Sequence, residues 1–238
     1  MMDESLAPWP ATPEDLIALQ EQLATASPEP WRPRSGAVRS VAGCFVCFPR
    51  GYEGSGALGD TGWAAAVWLV DGRPTAQAVV RGQTPAAYEP GLLALREGLL
   101  LEAAVRRLPR WPDVLIVNAT GRDHPRRAGL ALHLGARLSV PTVGITTRPL
   151  VATGSWPPDA RGAKSPLLLD DEIVGYWLRT QRGARPLVVH AAWRTDPNTA
   201  VAVVIAVTRE SRTPEPLRLA RRAAREARAS DTASRIAP

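Results

Sequence analysis

The sequence predicts an α/β protein, a mixed sheet with antiparallel and parallel strands flanked by helices. Three observations point to it. Three strand patterns joined by short turns follow one another near the start, a leucine-rich helical pattern covers 90–107, and two short apolar runs come after it, separated by a second helical pattern.

The first helix is announced by Thr12-Pro13-Glu14-Asp15: a capping hydroxyl, proline at the first helical position, then acids near the positive end of the helix dipole. It is expected to run to Ala26, followed by a Pro/Arg-rich linker, 27–35. Strand Val38 to Phe48 comes next, then a Gly-rich turn over 51–62, strand Trp63 to Val70, the hairpin signal Asp71-Gly72, and strand Thr75 to Arg81. Pro90 to Arg107 repeats Leu92, Leu95, Leu99 and Ala103 near helical spacing. Asp113 to Asn118 is a short apolar run bounded by turn formers, as a buried parallel strand should be. A helix over Arg126 to Arg137 and a buried strand over Pro141 to Thr146 follow. This order of elements is that of a ribonuclease-H-like sheet. The last third adds strands Glu172 to Thr180 and Pro186 to Val189, then helices Asp196 to Thr208 and Pro214 to Ala229. A single domain over 1–229 is expected, with small and polar residues making 230–238 a flexible tail.

A hydrophobic fraction of 45% and 238 residues suit an ordinary globular core. The longest apolar runs are too short or too broken by charge to span a bilayer, and no charged-then-apolar leader opens the chain, so no membrane partner and a cytoplasmic location are expected. A formal charge of +6 favours a polyanionic partner, yet Lys164 is the one lysine among 29 basic residues, so the arginine excess is equally a matter of codon composition. Cys44 and Cys47 form a C-x-x-C inside a strand pattern, where residues three apart face opposite ways. Two buried small hydrophobes are therefore expected, with neither a zinc site nor a disulfide.

A ribonuclease-H-like nuclease hydrolyses a phosphodiester with divalent cations that activate water and stabilise the leaving oxygen, so carboxylates must converge from several elements. The expected sources are the first strand, the long helix and the end of the following strand. In this chain they supply Phe45, Glu97 and Asn118.

Four separated segments then carry a specific resemblance. Tyr88-Glu-Pro-Gly-Leu-Leu-Ala-Leu-Arg-Glu97, the stretch from Val117 through His124-Pro-Arg-Arg127 to Gly135, Pro141-Thr-Val-Gly-Ile-Thr-Thr147, and Pro214-Glu-Pro-Leu-Arg218 resemble, in order, the motifs of the endonuclease V family. With the first strand they span residues 8–225. The resemblance implies magnesium-dependent cleavage at the second phosphodiester 3′ of a deaminated adenine, inosine, in DNA or RNA. It further implies that the base turns out of its stack into a pocket near Leu93 and Ala119 while Tyr88 wedges the space left behind.

Several positions depart from the family pattern. The first-strand aspartate falls at Phe45, the second at Asn118, the glycine after it at Ala119, the active-site lysine at Thr147 and the last histidine at Arg221; the Ser-Pro-Gly-His stretch is altered over Val189 to Trp193. Glu97, His124 and Tyr88 survive. Catalysis is thus expected to rest on Glu97 and His124, and any metal to bind Glu97, with Asn118 and Asp123 as weak further ligands. One carboxylate and one histidine make a poor magnesium site, since losing two anions removes most of the attraction for a doubly charged ion.

The plainer readings stand beside these. Glu97 also suits an ion pair with a nearby arginine, Asp123 a solvated loop with a local ion pair, Tyr88 a loop cap, and His133 a packing residue on its helix. Arg126 and Arg127 are expected to clamp phosphate at a helix start. Three functions compete: an endonuclease V-type nucleic-acid-binding protein with lost or weakened cleavage, a working endonuclease with a rebuilt metal site, and a structural or interaction protein on the same scaffold.

Overall fold

The computed structural model describes residues 8–33, 37–51 and 56–236, and for 232–236 the backbone alone. Thr12 caps α1 (Pro13–Thr25) by accepting from the Asp15 amide at 3.1 Å. The first three strands are β1 (Ser40–Cys47), β2 (Thr61–Val70) and β3 (Arg73–Gln83), consecutive and antiparallel. The β2–β3 turn places Asp71 and Gly72 at φ 49° and 73°, the paired positive angles of the tight hairpin turn that the sequence signalled. After α2 (Leu93–Arg106) come β4 (Val114–Val117), α3 (Leu130–Leu138), β5 (Thr142–Thr146), β6 (Lys164–Leu169), β7 (Glu172–Leu178), β8 (Leu187–Ala191), α4 (Pro197–Ala206) and α5 (Glu215–Ile236).

All eight strands form one sheet in the order β3-β2-β1-β4-β5-β8-β7-β6, with β1, β4 and β5 mutually parallel and the remaining pairings antiparallel. The expected mixed sheet with helices on both sides is what forms. Alternation along the strands sorts the side chains: Ala42, Cys44, Leu115 and Val117 pack with Leu16 of α1, Leu101 of α2 and Leu132 of α3. Val41, Val114, Ile116, Val143 and Ile145 pack on the other face with α4 and α5. Cys44 and Cys47 consequently lie in different cores, both buried and both free. At the start of α5 the backbone comes so close to β1 that a Cβ on Gly43 would lie 2.5 Å from the Pro216 carbonyl carbon. Glycine there lets the last helix settle directly on the strand that should carry the chemistry.

Three elements differ from expectation. Strand β6 is hidden in the sequence because its apolar stretch is only Leu167 to Leu169 and Pro166 precedes it, yet an edge strand tolerates proline, and Leu167 is fully buried. Its hairpin turn is Asp170-Asp171, at φ 49° and 62°, the same geometry without the usual glycine. Helix α3 starts at Leu130, not at Arg126, because Arg127 adopts φ 54° and the chain loops before the helix begins. Residues 237 and 238 of the expected tail lie outside the described residues, and the last helix, α5, runs on to Ile236, past the expected end at Ala229. Its alanines are strong helix formers, and Asp231 is tied to Arg81 of β3 at 3.0 Å.

Candidate functional site

Parallel pairing brings the carboxyl ends of β1 and β4 side by side, the usual location of a site in an open α/β sheet. The last paired residues are Cys44 and Val117, so Phe45 and Asn118 are the next positions along each strand. Phe45 turns to the α5 face, where the guanidinium carbons of Arg221 and Arg225 lie 5.4 and 5.9 Å from its ring centre. Arg221 also donates from Nη2 to Asn118 Oδ1 at 2.5 Å. A guanidinium thus bridges the two positions at which the resemblance implies carboxylates. Burial, then the neighbouring Arg225 and Arg212, holds the Arg221 pKa below its ordinary value.

Glu97 stands on α2 on the opposite face from Phe45, close enough to Cys44 that its charge adds to the effect of burial in raising that thiol. Half-buried, it makes no hydrogen bond or ion pair among the described residues. Burial lifts its pKa to about 7, against a weaker opposing pull from Arg96. The ion-pair reading fails for a simple reason: Arg96 is turned away to Asp60, at 2.5 Å, and to the Ala57 and Ala86 carbonyls. The sign follows from linkage. With a folded pKa above the unfolded one, Glu97 destabilises the fold increasingly as pH rises from about 4.5 to about 7, and fully above that. Glu97→Gln should therefore raise stability by about 3 kcal/mol at pH 8 and leave it unchanged at pH 4. Paired thermal melts at the two pH values check this; an equal shift at both would rule out the titration as its cause.

His124 is buried, with both ring nitrogens in use: Nε2 donates to the Gly91 carbonyl at 3.0 Å, and Nδ1 accepts from the Arg126 amide at 3.1 Å. Burial favours its neutral form. Asp123 is neither a solvated loop residue nor an open ligand. It is fully buried, and its oxygens accept from the amides of Leu150, Val151 and Ala152 at 2.7, 2.9 and 2.8 Å. Its Oδ2 also faces the Nδ1 of buried His190 at 3.6 Å. His190 has its pKa lowered to about 4 by burial, so it is neutral, and its Nε2 meets Thr146 Oγ1 at 2.8 Å.

The expected phosphate clamp does not assemble at a helix start. Arg126 binds Gln20 Oε1 at 2.6 Å and the Gly91 carbonyl, while Arg127 pairs with Asp170 and Glu172 at 2.9 Å each, tying the β6–β7 turn to the loop before α3. Thr147, the position implied for lysine, is exposed in the turn after β5. His133 stacks on Trp9 at 4.6 Å, a packing role as expected.

Five residues singled out in the sequence do converge. Tyr88, Leu93, Asn118, Ala119 and His124 line one cavity of about 150 Å³. Tyr88 stands 40% exposed and Ala119 is buried, so the cavity has an accessible aromatic at one side and a methyl group where the family pattern has glycine. Gln20, Thr146 and Leu150 are among the further lining residues, and these the sequence did not reveal. Gln20 lies 71 residues before Gly91, whose carbonyl it binds at 3.0 Å, so only the docking of α1 brings it there.

These donors do not fit magnesium. The ion needs several oxygen ligands in near-octahedral array, whereas Phe45 offers a ring, Asn118 gives its oxygen to a guanidinium, His124 has no free nitrogen and Glu97 is one carboxylate. Among the described residues no group of three or more His, Cys, Asp or Glu could hold an ion.

Comparison with known proteins places the scaffold. The sequence profile of the endonuclease V family matches residues 21–222. Endonuclease V of Methanopyrus kandleri is 46% identical over 142 residues, covering 60% of this chain and 61% of that protein. That of Roseiflexus sp. (strain RS-1) is 37% identical over 92% of this chain and 95% of its own length. The crystal structure of the Streptomyces avermitilis endonuclease V superposes with a TM-score of 0.82 at 35% identity, covering 94% of this chain and 96% of that one. By sequence and by fold alike, the chain belongs to the endonuclease V family.

Proposed function

We propose that this protein binds inosine-containing nucleic acid in the manner of its family while its metal-dependent cleavage is lost or severely reduced. The observation that carries the reading is the Arg221–Asn118 hydrogen bond over the Phe45 ring. Where two anions would gather a doubly charged cation, there is an amide, an arene and a resident positive charge. A cation at that spot would be repelled instead of held.

Base binding is supported by the cavity beneath Tyr88. Its volume of about 150 Å³ is enclosed by apolar Leu93, Ala119 and Leu130, with Asn118, Thr120 and Thr146 supplying polar contacts. This is the mixture a flipped base requires: stacking and apolar walls, with a few hydrogen-bonding groups at its edge. Tyr88, accessible at the rim, is placed to stack in the gap. Tyr88→Ala should weaken binding of an inosine-containing strand by roughly tenfold, the usual worth of one base–aromatic stack, with little change in melting temperature. Fluorescence anisotropy measures it, and an unchanged affinity would remove the wedge from the proposal.

The function itself is tested by incubating the protein with end-labelled inosine-containing and adenine-containing strands, as DNA and as RNA, in magnesium and in manganese. The expected result is preferential binding of inosine without a nick. Specific nicking would establish a working endonuclease with a rebuilt metal site. Failure to bind either strand would leave a structural protein on this scaffold.

A further inference from the structure

The base cavity and an arginine-lined groove meet at a single side chain. Asn118 lines the cavity, and its Oδ1 is held by Arg221, which lines a groove of about 550 Å³ along α5 together with Arg50, Thr213, Arg218 and Arg225. Two of the groove's arginines are neutralised, Arg218 by Glu215 at 2.5 Å and Arg222 by Glu226 at 2.7 Å. Arg221 and Arg225 have no carboxylate partner among the described residues and are one helical turn apart, both over the Phe45 ring. Beyond the bond to Asn118, the contact Arg221 makes with Thr213 Oγ1 is long, at 3.5 Å. A guanidinium has five N–H donors in a planar fork, so most of this one's capacity is open to the groove.

Two unpaired like charges this close repel each other, and an anion between them relieves that repulsion. The arrangement has the right chemistry for one ligand class: the phosphodiester of a strand whose base occupies the neighbouring cavity. A guanidinium matches two phosphate oxygens bidentately and carries the positive charge that a metal ion would otherwise bring to them. Unlike a metal, it offers no coordinated water to attack phosphorus. Binding and cutting are separated by that one replacement.

We propose that Arg221, supported by Arg225, is a built-in cation that replaces the metal, so that the protein holds the backbone phosphate beside a flipped base without any divalent ion. This rests on the inosine-binding reading above, and the test separates the two. Anisotropy titrations of the full chain with a labelled inosine-containing single strand are made in excess EDTA and in magnesium, over a range of salt. The affinity is expected to be the same in both. Arg221→Gln should lower it roughly tenfold and flatten the plot of log affinity against log salt by about 0.7, the slope that one neutralised phosphate of a single strand contributes. Arg221→Lys should keep most of the slope, because its charge remains.

Arg225→Gln, on the exposed side of α5, gives a smaller loss of the same kind. It decides the matter, together with the EDTA comparison, if the first variant does not fold. Affinity that collapses in EDTA, or a salt slope untouched by both substitutions, overturns the inference while leaving inosine binding intact. Equal affinity for inosine and adenine strands in the wild type would overturn the functional reading instead.

Discussion

Cleavage of an inosine-containing strand should appear when Phe45→Asp, Asn118→Asp, Thr147→Lys and Arg221→His are combined, at least a hundredfold above wild type in magnesium, and should stay absent when Arg221 is retained. The first three changes restore the anions and the lysine that the family pattern places at these positions. They do not clear the seat. With Arg221 left in place, two new carboxylates would lie within reach of a guanidinium that already binds residue 118 at 2.5 Å and covers residue 45 at 5.4 Å. An ion pair of that geometry satisfies the carboxylates internally, and magnesium would have to break it before binding. Replacing the arginine by the smaller neutral imidazole frees the oxygens and adds a nitrogen ligand. Single-turnover nicking by the triple and quadruple variants is the measurement. Equal activity in both would show that Arg221 is no obstacle and that the account of the site is wrong.

Asp123→Ala should cost about 4 kcal/mol, the usual penalty for deleting a buried hydrogen-bonded charge. The melting temperature should fall on the order of 10 °C. The three backbone amides of Leu150, Val151 and Ala152 are left without the fully buried carboxylate that accepts from them. The segment they belong to forms one wall of the cavity through Leu150, so hydrogen exchange should rise over 148–152 and inosine affinity should drop with it. Asp123→Asn keeps one acceptor oxygen and should lose roughly half as much. Were Asp123 a metal ligand instead of a clamp, the melting temperature would barely move, and only metal-dependent properties would change.

The same residue shows where sequence reading stops. Asp123 sits beside His124 inside a family motif, and its place in the chain suggests either a solvated loop or a displaced ligand. Its three acceptor bonds come from residues 27–29 positions away, so nothing local announces them. Arg126 and Arg127 fail for a related reason. The amphipathic pattern suggests a helix start at Arg126, but the positive φ of Arg127 delays the helix to Leu130 and sends the two guanidiniums to Gln20 and to the β6–β7 turn. By contrast the convergence of Tyr88, Leu93, Asn118, Ala119 and His124 is what the resemblance of the motifs implies, and the sheet agrees with it, since the motifs lie at the end of β4 and at the start of α2.

The sequence by itself determined the order of the elements apart from β6, the two-faced alternation of the strands, the separation of Cys44 from Cys47 and, through the family resemblance, the presence of Phe45 and Asn118 where that resemblance implies carboxylates. The first three follow from periodicity and residue chemistry, which are local, and the last from the resemblance of the motifs. Only the tertiary structure decided what fills the vacated positions. Arg221 lies 103 residues from Asn118 and is one of many arginines, and it reaches that amide because Gly43 lets the start of α5 rest against β1. An electrostatic vacancy is written in the chain, but the charge that occupies it is selected by packing, which acts across the fold.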